Sequence, residues 1–209
     1  MGRASFPGTC RFCDEHFPKA GVSRHLSACP RRVKGNRDVF HLVVEVPRTP
    51  YWLHAEADAE STLAVLDQFL RKTWLECCGH LSDFTIDGIR YSDGENSDSM
   101  DTPLQELLAI GKKCTHRYDF GSTTELSIRV IARETGGPGR SQIRLLARND
   151  LPAAACRECG QPSTRICAQC VYDGDAAFCK TCAKKHACGE DVLLPLVNSP
   201  RAGVCGYGG

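Results

Sequence analysis

Val39-Phe40-His41-Leu42-Val43-Val44-Glu45-Val46 is followed by Pro47-Arg48-Thr49-Pro50 and then by Tyr51-Trp52-Leu53-His54-Ala55-Glu56-Ala57. The first run is rich in β-branched residues, the second is a turn with two prolines, and the third alternates well enough to be a partner strand. Together they predict an antiparallel hairpin. Beyond it, Ser61 is placed to cap a helix whose apolar side chains, Leu63, Leu66, Phe69, Leu70 and Trp74, recur at steps of three and four. A helix with one apolar stripe needs a sheet to cover.

Four more runs can complete that sheet: Phe84-Thr85-Ile86, Ile89-Arg90-Tyr91, His116-Arg117-Tyr118-Asp119-Phe120 and Glu125-Leu126-Ser127-Ile128-Arg129-Val130-Ile131. Between them Thr102 can cap a short helix carrying Leu104, Leu107 and Leu108. The order strand, strand, helix, strands, short helix, strand is that of a ubiquitin-like β-grasp. The fold class expected for the centre is therefore α+β, with a β-grasp-like domain.

Cysteine and charge divide the chain of 209 residues in the same way. Of 14 cysteines, three fall in 1–37, three in 38–134 and eight in 135–209. Residues 1–37 carry eight Lys/Arg against two Asp/Glu, 38–134 nine against seventeen, and 135–209 nine against six. An acidic centre thus has basic ends. Gly136-Gly137-Pro138-Gly139-Arg140-Ser141 reads as a linker or exposed loop. The expected domains are 1–37, 38–134, a linker or extra strand over 135–150, and 151–209.

No stretch approaches the ~20 apolar residues of a membrane span; Val192-Leu193-Leu194-Pro195-Leu196-Val197 is short and interrupted by proline. The first residues lack the apolar core of a signal peptide, and Phe6 stands where a myristoylation signal needs Ser or Thr. The expectation is a soluble, cytoplasmic protein, in whose reducing surroundings thiols bind metal more readily than they form disulfides.

Cys10-x2-Cys13 and His25-x3-Cys29, eleven residues apart, have metal-ligand spacing. Phe17 and Val22 stand where a small finger keeps its apolar core. The segment resembles a Cys-Cys-His-Cys zinc finger, one residue shorter in the middle than usual. So small a unit has almost no core, and metal binding supplies its folding energy. Arg11, Lys19, Arg24, Arg31, Arg32, Lys34 and Arg37 are candidates to meet nucleic-acid phosphates. The bland alternative is a solvated basic face on a finger used for protein contact or structure alone.

Near the other end Cys156-x2-Cys159, Cys167-x2-Cys170 and Cys179-x2-Cys182 are followed by His186, Cys188 and Cys205. Two thiolate pairs complete one tetrahedron, so three pairs need a fourth from the later residues. Cys188-Gly189 and Cys205-Gly206 both look like knuckle turns, which leaves open whether His186 is a ligand. The run resembles the treble-clef and cross-brace fingers of the HIT, MYND and B-box kind. That resemblance implies that the first and third pairs share one ion and that Cys167 and Cys170 share the other with late ligands. With the finger, about three structural zinc ions are expected.

In the middle, Tyr51-Trp52, the Leu63 to Trp74 helix, His80-Leu81-x2-Phe84-Thr85-Ile86 and Tyr118-Asp119-Phe120-Gly121 resemble the plasmid Ri ORF-three-like family, which spreads with plasmids and mobile elements. The resemblance covers 38–134. Ser122-Thr123-Thr124 stands where that family carries acidic and tryptophan residues. The family supplies no chemistry to transfer.

Asp119-Phe120-Gly121 looks like a kinase metal motif but has no accompanying phosphate loop, and it reads as a strand end and turn. Cys77, Cys78 and His80 can form a thiol-imidazole group. His54 and His116 read as ordinary surface or half-buried strand residues rather than ligands, and Gly208-Gly209 follows a metal cluster rather than a last core strand. The function expected is a noncatalytic zinc-binding adaptor or accessory protein that contacts nucleic acid, a protein partner or both, and is linked to a mobile element. The alternative is a zinc- or cysteine-dependent enzyme.

Overall fold

The computed structural model describes residues 6–33, 35–75, 78–94, 96–137 and 141–209. It divides into two compact units, Met1–Leu70 with Leu81–Asp150, and Arg71–His80 with Leu151–Gly209.

The first unit contains strands β1 (Pro7–Cys10), β2 (His16–Pro18), β3 (Arg37–Glu45), β4 (Trp52–Asp58), β5 (Ser82–Ile86), β6 (Ile89–Tyr91), β7 (Lys113–Tyr118), β8 (Thr124–Gly136) and β9 (Ile143–Asn149), with helices α1 (Lys19–Ala28), α2 (Leu63–Leu70) and α3 (Leu104–Leu107). The strands form one sheet in the order β2-β1-β9-β4-β3-β8-β7-β5-β6. Every pairing in it is antiparallel.

The predicted hairpin lies at its heart. On one face Phe40 stands opposite Ala57, Leu42 opposite Ala55 and Val44 opposite Leu53, all fully buried. In the first two pairs a large side chain thus meets a small one across the strands. The row continues onto β8, where Val130 pairs with Leu42 and Ile128 with Val44. Both faces of β4 are buried, and on the second one Trp52 joins Val22 and Leu26 of α1, Leu146 and Ala147 in a separate core.

A bulge in the β4–β9 register falls between His54 and Ala55. Leu146 is the extra residue, and a bulged residue can be re-aimed: its side chain enters the finger core and its carbonyl accepts from the Arg11 N–H. Residues 143–149, in the stretch read as a linker or extra strand, therefore form β9 between the finger and the hairpin.

The fold is mostly antiparallel β and is not the α+β β-grasp expected. A β-grasp runs its first and last strands parallel, whereas here the run from Val39 pairs antiparallel to the run ending at Ile131, with Val44 opposite Ile128. The sheet is also extended by β1, β2 and β9. The helices are short, α2 having eight residues and α3 four. Thr62, rather than Ser61, accepts a first-turn N–H of α2, from Val65 at 3.4 Å. The Thr102 hydroxyl bonds back to Ser99 O, and Pro103 precedes α3.

The second unit has a π-helical turn at Arg71–Leu75, strands β10 (Arg165–Cys167), β11 (Ala177–Phe178) and β12 (Leu193–Pro195), and helix α4 (Lys180–Ala183). Its sheet runs β11-β10-β12. Two small apolar clusters serve as its core, one around Cys156, Cys167, Phe178 and Ala183, the other around Ile166, Ala176 and Ala202. Among the described residues, no helix is long and apolar enough to cross a membrane.

Candidate metal centres

A tetrahedral ion with bonds of ~2.3 Å to sulfur and ~2.1 Å to nitrogen holds two sulfurs ~3.8 Å apart and a sulfur and nitrogen ~3.5 Å apart. Among the described residues, three groups bring four donors close enough together for that geometry. In each, all ligand atoms lie within 4.8 Å of one another.

Cys10, Cys13, His25 and Cys29 form the first. The turn after β1 is closed by hydrogen bonds from Asp14 N to Cys10 O and from Cys10 N to Glu15 O, both 3.0 Å. Asp14 takes the left-handed backbone at φ 60°. His25 lies in the last turn of α1 and Cys29 follows the helix. Cys13 Sγ stands 3.4 Å from His25 Nε2. Phe17 stacks on the imidazole with ring centres 3.8 Å apart, and Val22 is buried, as the small-core reading requires. Burial pushes the Cys10 thiol up to about 11, so the group binds only an ion that can displace its proton.

In the second group, Cys156, Cys159, Cys179 and Cys182 converge. Cys159 Sγ is 3.7 Å from Cys179 Sγ and 3.6 Å from Cys182 Sγ. The Cys182 N–H donates to Cys179 Sγ at 3.4 Å at the start of α4. A hydrogen bond from the Cys179 backbone heads the causes that bring the Cys156 thiol down to about 6. Hydrogen bonds with the Cys159 and Cys179 thiols push Cys182 up to about 12. Amide donors thus favour the Cys156 and Cys179 thiolates, and Cys159 and Cys182 are held protonated until a cation offsets the crowding of sulfurs.

Cys167, Cys170, His186 and Cys188 make the third. Cys170 Sγ lies 3.4 Å from His186 Nε2 and 3.8 Å from Cys188 Sγ. The His186 ring packs on Phe178, their centres 4.2 Å apart. Burial raises Cys167, but N–H donors from Cys170 and Gln169 reverse this and bring it down to about 7. The last two groups interleave along the chain as a cross-brace. His186 and Cys188 are thereby placed together, and Cys205 is placed elsewhere, beside Cys78 and His80.

The predicted phosphate contacts divide. Arg11, Arg24 and Arg31 are exposed. Lys19 pairs with Glu45 at 2.9 Å and Arg37 with Asp58 at 2.8 Å; Lys34 lies outside the described residues. Arg32 must be withdrawn from the candidate contacts. It is buried, with Nη2 donating to Glu56 and Glu134 at 2.8 and 2.7 Å and Nη1 to Leu26 O at 3.1 Å. Its guanidinium docks the end of the finger onto β4.

His41 and His54 are also buried, 2.9 Å apart through Nε2 and Nδ1. His116 Nε2 contacts Asp67 at 2.7 Å, and Ser82 donates to the same carboxylate oxygen at 2.7 Å. The serine therefore meets the acid rather than the imidazole, and this is not the arrangement that activates a nucleophile. Asp119, at φ 63°, accepts from Gly121 N and Ser122 N, a strand end and turn as expected. Cys77 lies outside the described residues.

No family model and no curated protein matches this chain. One similar solved structure is the crystal structure of protein of unknown function MM3350 from Methanosarcina mazei Go1, with a TM-score of 0.47 and 15% identity over 54% of this chain and 68% of that one. That likeness is too weak to carry an argument.

Proposed function

We propose that the three four-donor groups are closed structural zinc sites and that the protein is a noncatalytic adaptor. The observation that carries this reading is that each group supplies four soft or borderline donors, a full tetrahedral shell with no position left for substrate. Thiolate-rich sets favour zinc over hard cations, which take oxygen. An open zinc enzyme needs three protein ligands and a water, and these three groups lack that pattern. The metals fix small folds whose outer side chains meet a partner.

A protein partner is favoured over nucleic acid as the main contact. Of the seven finger cations proposed for phosphates, Arg32 is inside the core, Lys19 and Arg37 are engaged with Glu45 and Asp58, and Lys34 lies outside the described residues. Arg11, Arg24 and Arg31 remain for a weak, salt-sensitive contact. Affiliation of 38–134 with the plasmid Ri ORF-three-like family, and with it a role in mobile elements, rests on the motifs quoted above. Their physical roles fit a scaffold: Trp52 is fully buried and donates to Phe6 O, and Asp119 closes a turn.

The test is elemental analysis after mild chelation, joined to binding assays over a salt series. Three retained zinc ions are expected, with Cys10→Ser, Cys156→Ser and Cys167→Ser each retaining fewer. Binding to short DNA or RNA that is tight, steep in salt and abolished by Arg11→Glu/Arg24→Glu/Arg31→Glu would overturn the preference for protein. Retention of fewer than three ions by the unaltered chain would overturn the structural sites.

A further inference from the structure

We propose that Cys78, His80 and Cys205 form a fourth metal site, for a soft divalent cation such as zinc, that exchanges its ion more readily than the other three. It lies outside the cross-brace and goes beyond the reading above. Its donors come from two ends of the second unit, the Arg71–His80 segment and the C-terminal turn Val204–Gly206. His80 and Cys205 are 125 residues apart in sequence.

The geometry points to a shared ion. His80 Nε2 lies 2.9 Å from Cys78 Sγ and 3.5 Å from Cys205 Sγ, and all three donors lie within 4.8 Å of one another. A catalytic thiol-imidazole pair needs one sulfur on the nitrogen. Here two sulfurs approach the same Nε2, and a common cation bonded to all three atoms accounts for that convergence. The Cys205 contact matches the ~3.5 Å edge of a sulfur-nitrogen tetrahedron, and the 2.9 Å Cys78 contact is shorter than that edge.

The surroundings of Cys205 are built for a thiolate. Its backbone is left-handed, at φ 50° and ψ 29°, a region that L-residues other than Asn and Asp avoid, with Gly203 and Gly206 at positive φ on either side. Tyr172 Oη accepts the Cys205 N–H at 2.9 Å and lies 3.8 Å from its sulfur. The fully buried Arg201 directs Nη2 to the same sulfur at 3.7 Å. A cationic donor behind a ligating thiolate offsets its charge and orients it. Two thiolates and a neutral imidazole balance a divalent ion, and loading from the thiols releases two protons.

Exchange follows from exposure. Cys78 and Cys205 are exposed, and none of the three donors is buried, whereas each four-donor group includes at least one buried cysteine. Solvent and a competing ligand therefore reach these donors more readily than those of the other three groups.

The experiment uses the full chain purified under reducing conditions. Elemental analysis is expected to give four zinc ions, falling to three after brief treatment with a mild chelator. Adding cobalt(II) to the three-zinc form should take up one equivalent, with visible bands of tetrahedral cobalt and sulfur-to-cobalt charge transfer. Cys78→Ser, His80→Ala and Cys205→Ser should each start at three and take up no cobalt. A wild-type chain with no uptake, uptake that persists in all three variants, or a Cys78–Cys205 disulfide in peptide maps of the purified chain would overturn the proposal. The cobalt readout on the wild type stands even if a variant misfolds. Failure of the structural sites reads out separately, as fewer than three retained ions that depend on Cys10, Cys156 and Cys167.

Discussion

Replacing Arg32 by Met tests whether this residue holds the finger on the sheet or meets a ligand. The guanidinium donates to Glu56, Glu134 and Leu26 O, and the Arg32 and Glu56 side chains are 3% and 0% exposed. Removing one partner of a buried pair costs ~3–5 kcal/mol, because the other charge is left uncompensated. Glu56 keeps Arg144 at 3.0 Å and the Gly137 N–H, so the lower end, ~3 kcal/mol, is expected. Burial raises Glu56, and hydrogen bonds from Arg32, Arg144 and Gly137 outweigh it, so its carboxyl is held below the usual range. A depressed carboxylate stabilises above its unfolded pKa and stops doing so as pH falls through the folded value. The gap between wild type and variant should therefore be widest near neutral pH and close in acid, once Glu56 takes up a proton in both. Hydrogen exchange of the β4 amides reads this unit locally, and ~3 kcal/mol corresponds to exchange faster by roughly a hundredfold. The partner change Glu134→Gln, at a side chain 29% exposed, should cost ~1 kcal/mol or less. Unchanged exchange in Arg32→Met, together with weakened binding to a nucleic acid, would refute the reasoning by putting Arg32 on a ligand.

Burial first, then Arg32 for His41 and the paired His41 imidazole with Arg129 for His54, holds His41 down to about 4 and His54 to about 3. Both are neutral in the native state while the unfolded chain takes up protons below ~6.5, so stability is full above about pH 7 and falls by several kcal/mol toward pH 4. His41→Gln/His54→Gln should flatten that acid limb in pH-dependent unfolding, and an unaltered limb counts against the buried pair as its source. Because the last two four-donor groups interleave, Cys167→Ser should lose two ions to a mild chelator rather than one; retention of the Cys156 group's ion would show that the two are mechanically independent. Gly8→Ala would place a Cβ 2.3 Å from Arg148 O and 2.4 Å from the Trp52 ring. It should destabilise the first unit by ~1–3 kcal/mol, read as a lower urea midpoint.

The central hairpin was legible because its composition and turn are local, and so were the strands at 84–86, 89–91 and 125–131. Their arrangement was not. Pro7–Cys10 carries no alternation that marks a strand, yet it pairs with Ile143–Asn149, more than a hundred residues away. Ligand spacing made the cysteine pairs readable, while the choice among His186, Cys188 and Cys205 depended on where the chain returns. Cys205 had no local signal of its partners, since Cys78 and His80 lie on the far side of a whole sheet in sequence. Arg32 sits in a basic run and reads as surface; only the fold brings Glu56 and Glu134 to it.

The nine-stranded sheet ends at both sides in strands of only three residues, His16–Pro18 and Ile89–Tyr91. An open edge invites another chain to add itself by main-chain bonds, and a short edge offers too few to reward it. Pro18 also removes a donor from one of them. So broad a sheet is in this way guarded against self-association into fibres, and a visiting peptide gains little by extending it. A partner of this unit would have to be met by side chains on its faces and loops.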